Sequence, residues 1–389
     1  MSTPSETAPA GPGAVRTLIA PLRYVQGRGA LARVGEFVAP LGRTPLVVAD
    51  DAVWGFTEDT VRASFAAAGL PLVRDGFGTY ATAAAVEAIA ARIGETGADV
   101  VVGVGGGSTI DAVKAAGHLA GVRWASVPTL ASTDAPCSAL SVIYTEEGAF
   151  EEYRFFPRNP DLVLVDTQVV ANAPVRFLVA GVGDALATWV EARAVARTDS
   201  ETMAGGVPTL TGTALARLSW DVLWENAESA VEAVRHHLVT PAVEKVVEAN
   251  TLLSGLGFES GGLAAAHAIH NGLTAVPHTH GLTHGEKVNI GTLTQLVLEG
   301  APRAEIVAFV ELTTRLGLPN TLTEVGLGVD DVDALTTVAR AATAEGETIH
   351  AMPFAVRVPD LVDALRSLET LSTTIRTRAA LPAPTPHHP

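Results

Sequence analysis

The sequence predicts a protein of two domains, an α/β domain with a mostly parallel sheet at residues 14–173 and an all-α domain at residues 174–380. Up to Asp166, short β-rich runs alternate with Ala-rich helical runs, an order that is typical of a parallel sheet covered by helices on both faces. After Asp166 strand-like alternation nearly disappears, and Pro174 can occupy the first turn of a helix. The 389 residues are enough for two domains of ordinary size.

The β-rich runs of the first domain predict five strands, with helices at residues 58–68 and 83–96 between them. The strands are residues 24–25, 46–49, 72–73, 100–104 and 125–127. Residues 140–144 and 153–156 are predicted to form a β-hairpin. Helical spacing in the second domain predicts helices at residues 174–197, 209–235, 241–255, 260–273, 284–299, 302–316, 330–345 and 358–378. Residues 1–13 are predicted to be a disordered tail, and residues 381–389 a Pro-rich tail that contains His387 and His388.

The composition excludes several classes of protein. Hydrophobic residues make up 48 % of the chain and charged residues 17 %, which indicates a globular protein with large cores. A net charge of −16 disfavours nucleic acid and anionic membranes as partners, and no apolar run approaches the roughly 20 residues that cross a bilayer. The single cysteine, Cys137, excludes an intrachain disulfide and Cys-rich zinc sites. The N-terminal residues lack the basic and apolar regions of a signal peptide. Together with the single cysteine, this predicts a soluble cytoplasmic protein.

Two features follow strands whose carboxyl ends would form one edge of the sheet, where such sheets bind ligands. Asp50 follows the strand LVVA, and its carboxylate could accept hydrogen bonds from adenosine ribose hydroxyls or simply cap a helix. Gly105, Gly106 and Gly107 follow the strand VVVGV and precede a helix, so the backbone there can approach a pyrophosphate at a helix N-terminus. Ser108 adds a hydroxyl donor. The glycine spacing differs from the Rossmann fingerprint, and a turn of this kind also occurs without a ligand.

A polar loop follows the strand at residues 125–127. Residues 127–144, VPTLASTDAPCSALSVIY, crowd hydroxyl groups and the carboxylate of Asp134 together after that strand. This density is typical of a loop that lines a site, although the same residue types build ordinary turns.

Residues 259–287 contain five of the eleven histidines, which are His267, His270, His278, His280 and His284. The run at residues 264–273 predicts a helix with His267 and His270 one turn apart on nearly one face. After Pro277 a second helix is predicted to start near residues 281–285, and it carries His284 on an element that could face the first helix. Histidine is the commonest side-chain metal ligand, so the pair His267 and His284 predicts half of a metal site, although any single one could be structural.

Asp184 supplies the predicted third ligand. It lies in GVGDALATWVEARA, between small and apolar residues, where a carboxylate is costly to bury unless it is paired or coordinated. A capping role for this aspartate is the alternative.

Several long motifs resemble those of the bacterial NAD-dependent glycerol dehydrogenases, within the iron-containing alcohol dehydrogenase superfamily. They are GGGSTIDAVKAAG, ASTDAPCSALSVIYTEEGAFEEY, GVGDALATWVEARA, ESGGLAAAHAIHNGLTAV and HGEKVNIGTLTQLVLE, and the similarity runs from about residue 20 to 378. The resemblance implies the dehydroquinate synthase-like fold, with NAD on the α/β domain, a divalent metal that faces it across the interdomain gap, and a homo-oligomer, often an octamer.

The resemblance also assigns residues by position. The metal ligands carry over to Asp184, His267 and His284, and the iron-using branch has a second histidine where this chain has Thr188, so the metal is predicted to be Zn²⁺, with Fe²⁺ as the alternative. Asp134 carries over as a substrate contact, and His270 is a candidate proton acceptor. The NAD contacts carry over to Asp50, Gly107, Ser108, Asp111, Thr129, Ser132, Ser138, Leu140 and Tyr144.

The predicted activity is metal-assisted oxidation of glycerol to dihydroxyacetone with NAD. The metal would lower the pKa of a hydroxyl of the chelated diol, and hydride would pass to the nicotinamide. The alternatives are a dehydrogenase of another small diol, polyol or phosphorylated glycerol, a dehydroquinate synthase-like lyase, and a catalytically silent metal- or nucleotide-binding protein. Phosphate recognition would require several basic residues near the metal, and the histidine-rich stretch has only Lys287.

Overall fold

The computed structural model describes residues 14–383, so the predicted tail at residues 1–13 and residues 384–389 of the predicted Pro-rich tail lie outside the described residues. The chain divides into two compact units. An α/β unit comprises residues 19–181 and 229–255, and a helical unit comprises residues 14–18, 182–228 and 256–383. Among the described residues, no helix is sufficiently long and apolar to span a bilayer.

Residues 14–383 contain eight strands. They are β1 (Tyr24–Gly27), β2 (Pro45–Ala49), β3 (Val73–Gly76), β4 (Val100–Gly105), β5 (Arg123–Pro128), β6 (Leu140–Tyr144), β7 (Phe150–Phe155) and β8 (Leu162–Asp166). Six of them form a parallel sheet in the order β1-β8-β5-β4-β2-β3, and β6 pairs with β7 as an antiparallel hairpin. The predicted parallel sheet and the hairpin are therefore confirmed.

The α-helices of the described chain begin and end close to the predicted residues in most cases. They are α1 (Val34–Val38), α2 (Asp51–Ala67), α3 (Ala83–Thr96), α4 (Gly107–Ala120), α5 (Thr167–Asn172), α6 (Val175–Val195), α7 (Leu210–Arg235), α8 (Pro241–Glu248), α9 (Ser254–Gly261), α10 (Ala265–Thr274), α11 (His284–Leu298), α12 (Arg303–Leu316), α13 (Val332–Ala342) and α14 (Val358–Arg378). A π-helical turn, Ala249–Leu253, lies between α8 and α9. Helix α2 begins seven residues before the prediction because Asp50 caps it and accepts a hydrogen bond from the Val53 amide.

The sheet of the α/β unit is buried on both faces, which explains its almost continuous apolar strands. Alternate residues of β2 enter different cores: Val47 packs with α1 and α2, and Leu46 packs with α3 and α4. The carboxyl ends of β2, β4 and β5 therefore point Asp50, the glycine turn and the loop at residues 129–138 toward one edge of the sheet.

The predicted domain boundary between residues 173 and 174 remains a prediction, and the compact units divide the chain elsewhere. Residues 229–255 belong to the α/β unit, and their polar side chains bond to other residues of that unit. The Asn250 amide donates to the carbonyl groups of Ala131 and Leu178, at 3.0 and 3.1 Å, and Ser254 donates to Asp134 at 2.7 Å. Helical periodicity reports which face of a helix is apolar, but it does not report which core that face joins.

In the helical unit, α6, α10 and α11 pack around a small core. Ala187 of α6, Ala266 of α10 and Val288 of α11 are fully buried against one another. Helix α11 begins with a capping box, in which the Thr283 hydroxyl accepts from the Glu286 amide and the Glu286 carboxylate accepts from the Thr283 amide. This cap fixes His284 as the first residue of α11.

Candidate functional site

Asp184, His267 and His284 converge in the helical unit, as the sequence predicts. The Nε2 atoms of His284 and His267 lie 3.1 and 3.4 Å from the same oxygen, Asp184 Oδ1. One ligand atom from each of the three residues lies within 4.8 Å of the others. Two ligands on a tetrahedral ion with bonds of about 2.0–2.1 Å are separated by roughly 3.3 Å, so this donor set fits a small divalent cation.

Glycines allow the ligand-bearing helices α6 and α11 to approach closely. Gly183 precedes Asp184, and a Cβ atom built on it would lie 2.6 Å from the carbonyl oxygen of Gly285, which follows His284. Each helix thus exposes backbone beside its ligand. A larger residue at position 183 would separate the two side chains that must share one ion.

Glu191 is a further residue beside this cluster, and the sequence did not predict it. It lies on α6 two turns after Asp184 and is completely buried. Its carboxylate accepts from the His267 ring nitrogen Nδ1 at 2.5 Å and from the His267 amide at 3.0 Å. A buried glutamate seven residues from a predicted ligand, on the same face of an apolar helix, was the signal that could have identified it.

The charges around the cluster favour a cation. Burial opposes ionisation of Asp184, but His284 and His267 outweigh it and hold the pKa of this carboxyl below its ordinary value. Burial likewise opposes a charged His267, yet Glu191 and Asp184 raise the pKa of this imidazole well above its ordinary value. Asp184 and Glu191 thus place two carboxylate groups against one imidazole, an arrangement that suits a bound cation.

His270 lies beside the cluster. Its ring centroid is 4.2 Å from that of His284, and its Nδ1 lies 3.1 Å from Asn271 Oδ1. The Asn271 amide nitrogen donates to the Glu347 carboxylate at 3.1 Å, which orients the amide oxygen toward His270. The Nδ1 of His270 therefore carries hydrogen. Burial, followed by the charges of His284, Lys287 and His267, holds the pKa of His270 well below its ordinary value, which favours the neutral imidazole.

His278 and His280 lie outside the cluster. Both are exposed, in the segment between α10 and α11, and the His280 ring nitrogen Nε2 lies 3.1 Å from the Thr274 carbonyl oxygen. The structure thus separates two loop histidines from the three histidines near Asp184.

A cavity of about 680 Å³ opens in the α/β unit beside the predicted glycine turn. Five of the predicted nucleotide contacts line it, namely Asp50, Gly106, Gly107, Ser108 and Thr129. Gly106 is the N-cap of α4, whose first residues line the cavity, and a Cβ atom on Gly107 would meet only Thr133 Oγ1, at 3.5 Å. The turn is therefore open to a ligand at a helix N-terminus. Asp50 combines both predicted roles, since it caps α2 and lines the cavity.

The remaining predicted contacts of the α/β unit lie elsewhere. Asp111 forms an ion pair of 3.0 Å with the completely buried Lys114, whose ammonium also donates to the Ser138 hydroxyl. Lys114, held by Asp111, thus helps to fix the loop at residues 135–140. Asp134 is buried and accepts from Ser254. Besides Asp111 and Ser138, three predicted nucleotide contacts do not line the cavity, namely Ser132, Leu140 and Tyr144.

Comparisons with known proteins agree with this geometry. A model of the family described as iron-containing alcohol dehydrogenase matches residues 21–167. The chain is 51 % identical to a glycerol dehydrogenase of Escherichia coli O6:H1, over 87 % of this chain and 92 % of that protein. It is 49 % identical to a glycolaldehyde reductase of Halobacterium salinarum, over 92 % and 98 %. The crystal structure of glycerol dehydrogenase from Schizosaccharomyces pombe superposes with a TM-score of 0.93 at 39 % identity, over 97 % of this chain and 96 % of that one.

These similarities define the class first: the chain is an oxidoreductase. The chain belongs to the iron-containing alcohol dehydrogenase family, because it matches the family model and is about half identical to glycerol dehydrogenases over more than nine-tenths of their length. The resemblance predicted from the sequence motifs and the predicted fold class are both confirmed.

Proposed function

We propose that the protein is an NAD-dependent glycerol dehydrogenase that oxidises glycerol to dihydroxyacetone. The observation that carries the proposal is the convergence of Asp184, His267 and His284 on one point, in a chain about half identical to glycerol dehydrogenases. These three side chains would hold a divalent cation, which we propose to be Zn²⁺ because two imidazoles and one carboxylate leave a coordination position open for substrate.

The cofactors supply the redox chemistry. When bound, the cation lowers the pKa of a coordinated hydroxyl and NAD accepts hydride, so glycerol and NAD⁺ give dihydroxyacetone, NADH and a proton. The chain holds these groups and moves the proton. Asp50 and the glycine turn would bind the adenosine ribose and the pyrophosphate, because an acceptor and a helix N-terminus face the same cavity.

His270 is the proposed proton acceptor. Its Nδ1–H bonds to Asn271, so Nε2 is left to accept a proton from the substrate hydroxyl. Asp134 is the proposed substrate contact, and its carboxylate is oriented by the hydroxyl of Ser254. Cytoplasmic location and homo-oligomerisation remain predictions from the sequence.

A second candidate substrate is glycolaldehyde. The halobacterial relative is named for glycolaldehyde reduction, and it is nearly as similar to this chain as the glycerol dehydrogenases are. This reaction runs the same hydride transfer in the opposite direction on a two-carbon hydroxycarbonyl compound. The residues proposed above would serve both substrates.

The test combines metal analysis with a substrate panel. Purified protein should retain close to one zinc ion per chain and form NADH, seen at 340 nm, with glycerol and NAD⁺ but far less with NADP⁺. The reverse assay compares dihydroxyacetone with glycolaldehyde, each with NADH. Turnover of glycolaldehyde alone would replace the proposed substrate, and a zinc-loaded protein without diol-dependent NADH formation would contradict the proposal.

Two matched alanine variants test the ligands. His267→Ala should lose bound zinc and turnover while NAD⁺ still quenches tryptophan fluorescence as in the wild type. His278→Ala is the control, because this exposed histidine lies eleven residues further along the same stretch and outside the cluster. Full turnover in His267→Ala would refute the ligand assignment.

A further inference from the structure

Helix α10, which carries His267, lacks an N-cap side chain that could accept hydrogen bonds from its first backbone amides. Ala264 occupies the N-cap position and its methyl side chain cannot accept a hydrogen bond. Two side chains from other helices serve instead. Glu191 of α6 accepts from the amides of Ala264 and His267, at 2.8 and 3.0 Å, and Gln295 of α11 accepts from the two amides between them, at 3.0 Å each.

Glu191 does more than cap the helix. Its Oε1 atom accepts the two amides, and its other oxygen, Oε2, lies 2.5 Å from Nδ1 of His267. The carboxylate of Glu191 thus acts as an acceptor toward α10, and Oε2 offers a further acceptor to the ring, which places the hydrogen on Nδ1. With the hydrogen on Nδ1, Nε2 is the atom that can offer a lone pair to a cation, and it lies 3.4 Å from Asp184 Oδ1. Gln295 makes the same kind of cap without a contact to the ring.

We propose that Glu191 is a positioning residue of the metal centre, which fixes the tautomer and ring orientation of His267 so that Nε2 binds the cation. The inference deepens the proposed function, since it rests on the metal site formed by Asp184, His267 and His284. It concerns a side chain that would not touch the metal itself. Carboxylates that hold the second nitrogen of a ligating imidazole typically strengthen metal binding by about 10–100-fold.

An amide cannot replace this carboxylate, although it has the same shape. In Glu191→Gln the amide has a single acceptor atom, which must serve either the two backbone amides or Nδ1. If the oxygen stays at the helix, the NH₂ group faces Nδ1, and His267 must place its hydrogen on Nε2. If the amide turns round, the NH₂ group opposes two backbone donors. The first arrangement blocks Nε2, and the second leaves Nε2 free only at the cost of opposing the two backbone donors, so metal binding through Nε2 is weakened.

The experiment compares Glu191→Gln with Gln295→Ala in the full chain. Both variants remove hydrogen bonds from the α10 N-terminus, so both should unfold at lower urea concentration than the wild type. Only Glu191→Gln should weaken Zn²⁺ binding, by about 10–100-fold in competition with a chromophoric chelator, because Gln295 does not reach the imidazole. The affinity of Gln295→Ala for Zn²⁺ should stay within about threefold of wild type. Equal losses in the two variants, or wild-type affinity in Glu191→Gln, would overturn the proposal.

A measurement on the wild type does not depend on the folding of a variant. Nitrogen-15 NMR of the zinc-loaded protein with labelled histidine should show His267 with a protonated Nδ1 and a metal-bound Nε2. A metal-bound Nδ1 would overturn the inference even if Glu191→Gln failed to fold. If the wild type binds no zinc, or if His267→Ala binds it equally well, the proposed metal centre itself fails. If those two controls hold and only Glu191→Gln behaves as wild type, this inference alone fails.

Discussion

Replacement of Gly183 by alanine should damage the metal site without removing any ligand. Gly183 precedes Asp184 on α6, and the Cβ atom of an alanine there would lie 2.6 Å from the Gly285 carbonyl oxygen and 3.1 Å from Leu318 Cδ2. Ordinary van der Waals contact of a Cβ atom begins near 3.4 Å, so the backbones of α6 and α11 must move apart at this contact by up to about 0.8 Å. Backbone atoms cannot rotate away as the end of a flexible side chain can.

The separation exceeds what a metal site tolerates. Metal–ligand distances vary by about 0.2 Å, so a displacement of about 0.8 Å moves Asp184 and His284 beyond a shared ion. We expect Gly183→Ala to bind Zn²⁺ at least tenfold more weakly and to lose about 1–3 kcal/mol of unfolding free energy through overpacking. The assays are chelator competition and urea unfolding.

Gly94→Ala is the matched control. Gly94 lies within α3 of the α/β unit, and a Cβ atom added to it would meet no described atom within 4 Å. Alanine there should stabilise the protein by about 0.5–1 kcal/mol, because it restricts the unfolded chain and favours the helix. If Gly183→Ala binds Zn²⁺ as the wild type does and is equally stable, the close approach of α6 and α11 is not needed for the site.

Two further predictions concern a buried charge and the open glycine turn. Burial lowers the pKa of Lys287 from 10.5 to about 8. As the pH rises, the folded state therefore loses this proton at a lower pH than the unfolded state does. The unfolding free energy consequently rises between about pH 8 and pH 10.5. Below pH 8 the buried ammonium costs about 3 kcal/mol of stability. Lys287→Met should therefore be more stable than wild type in urea unfolding at pH 7, and this gain should disappear toward pH 10.5. A gain that is independent of pH would contradict this reasoning. Gly107→Ala should weaken NAD⁺ binding at least tenfold in a fluorescence titration at unchanged unfolding free energy, because the added Cβ atom has room in the fold but lines the cavity. Unchanged affinity would remove the turn from the nucleotide site.

Much of the fold was predictable because its elements have strong local signals. The strand β4 is a continuous apolar run before glycines, and α11 starts at a Thr283–Glu286 capping box. Helix α10 was predicted from residue 260, whereas α9 ends at Gly261 and α10 begins only at Ala265. Gly262, with a positive φ of 97°, separates the two helices, and a run of small residues does not reveal such a break.

The candidate site was predictable to a different extent for each kind of residue. Asp184, His267 and His284 stood out because ionisable groups are rare in small, apolar helical runs. Glu191 did not, because a carboxylate that holds the second nitrogen of an imidazole has no ligand spacing of its own in the sequence. Asp111 remains a predicted nucleotide contact, and the sequence does not show that Lys114, one turn later, is buried beside it. Long-range partners of buried polar groups are fixed by tertiary packing.

Small residues explain why three helices can bring their ligands to one point. Ala187, Ala266 and Val288 fill the space where α6, α10 and α11 meet, and each lies within four residues of a ligand on its own helix. The same packing brings Glu191 of α6 and Gln295 of α11 to the unsatisfied amides of α10. Because the contacts that pack the helices also satisfy the amides and orient His267, the site and the core of the helical unit should unfold together. A larger side chain in this core would leave every ligand in the sequence and still abolish the site.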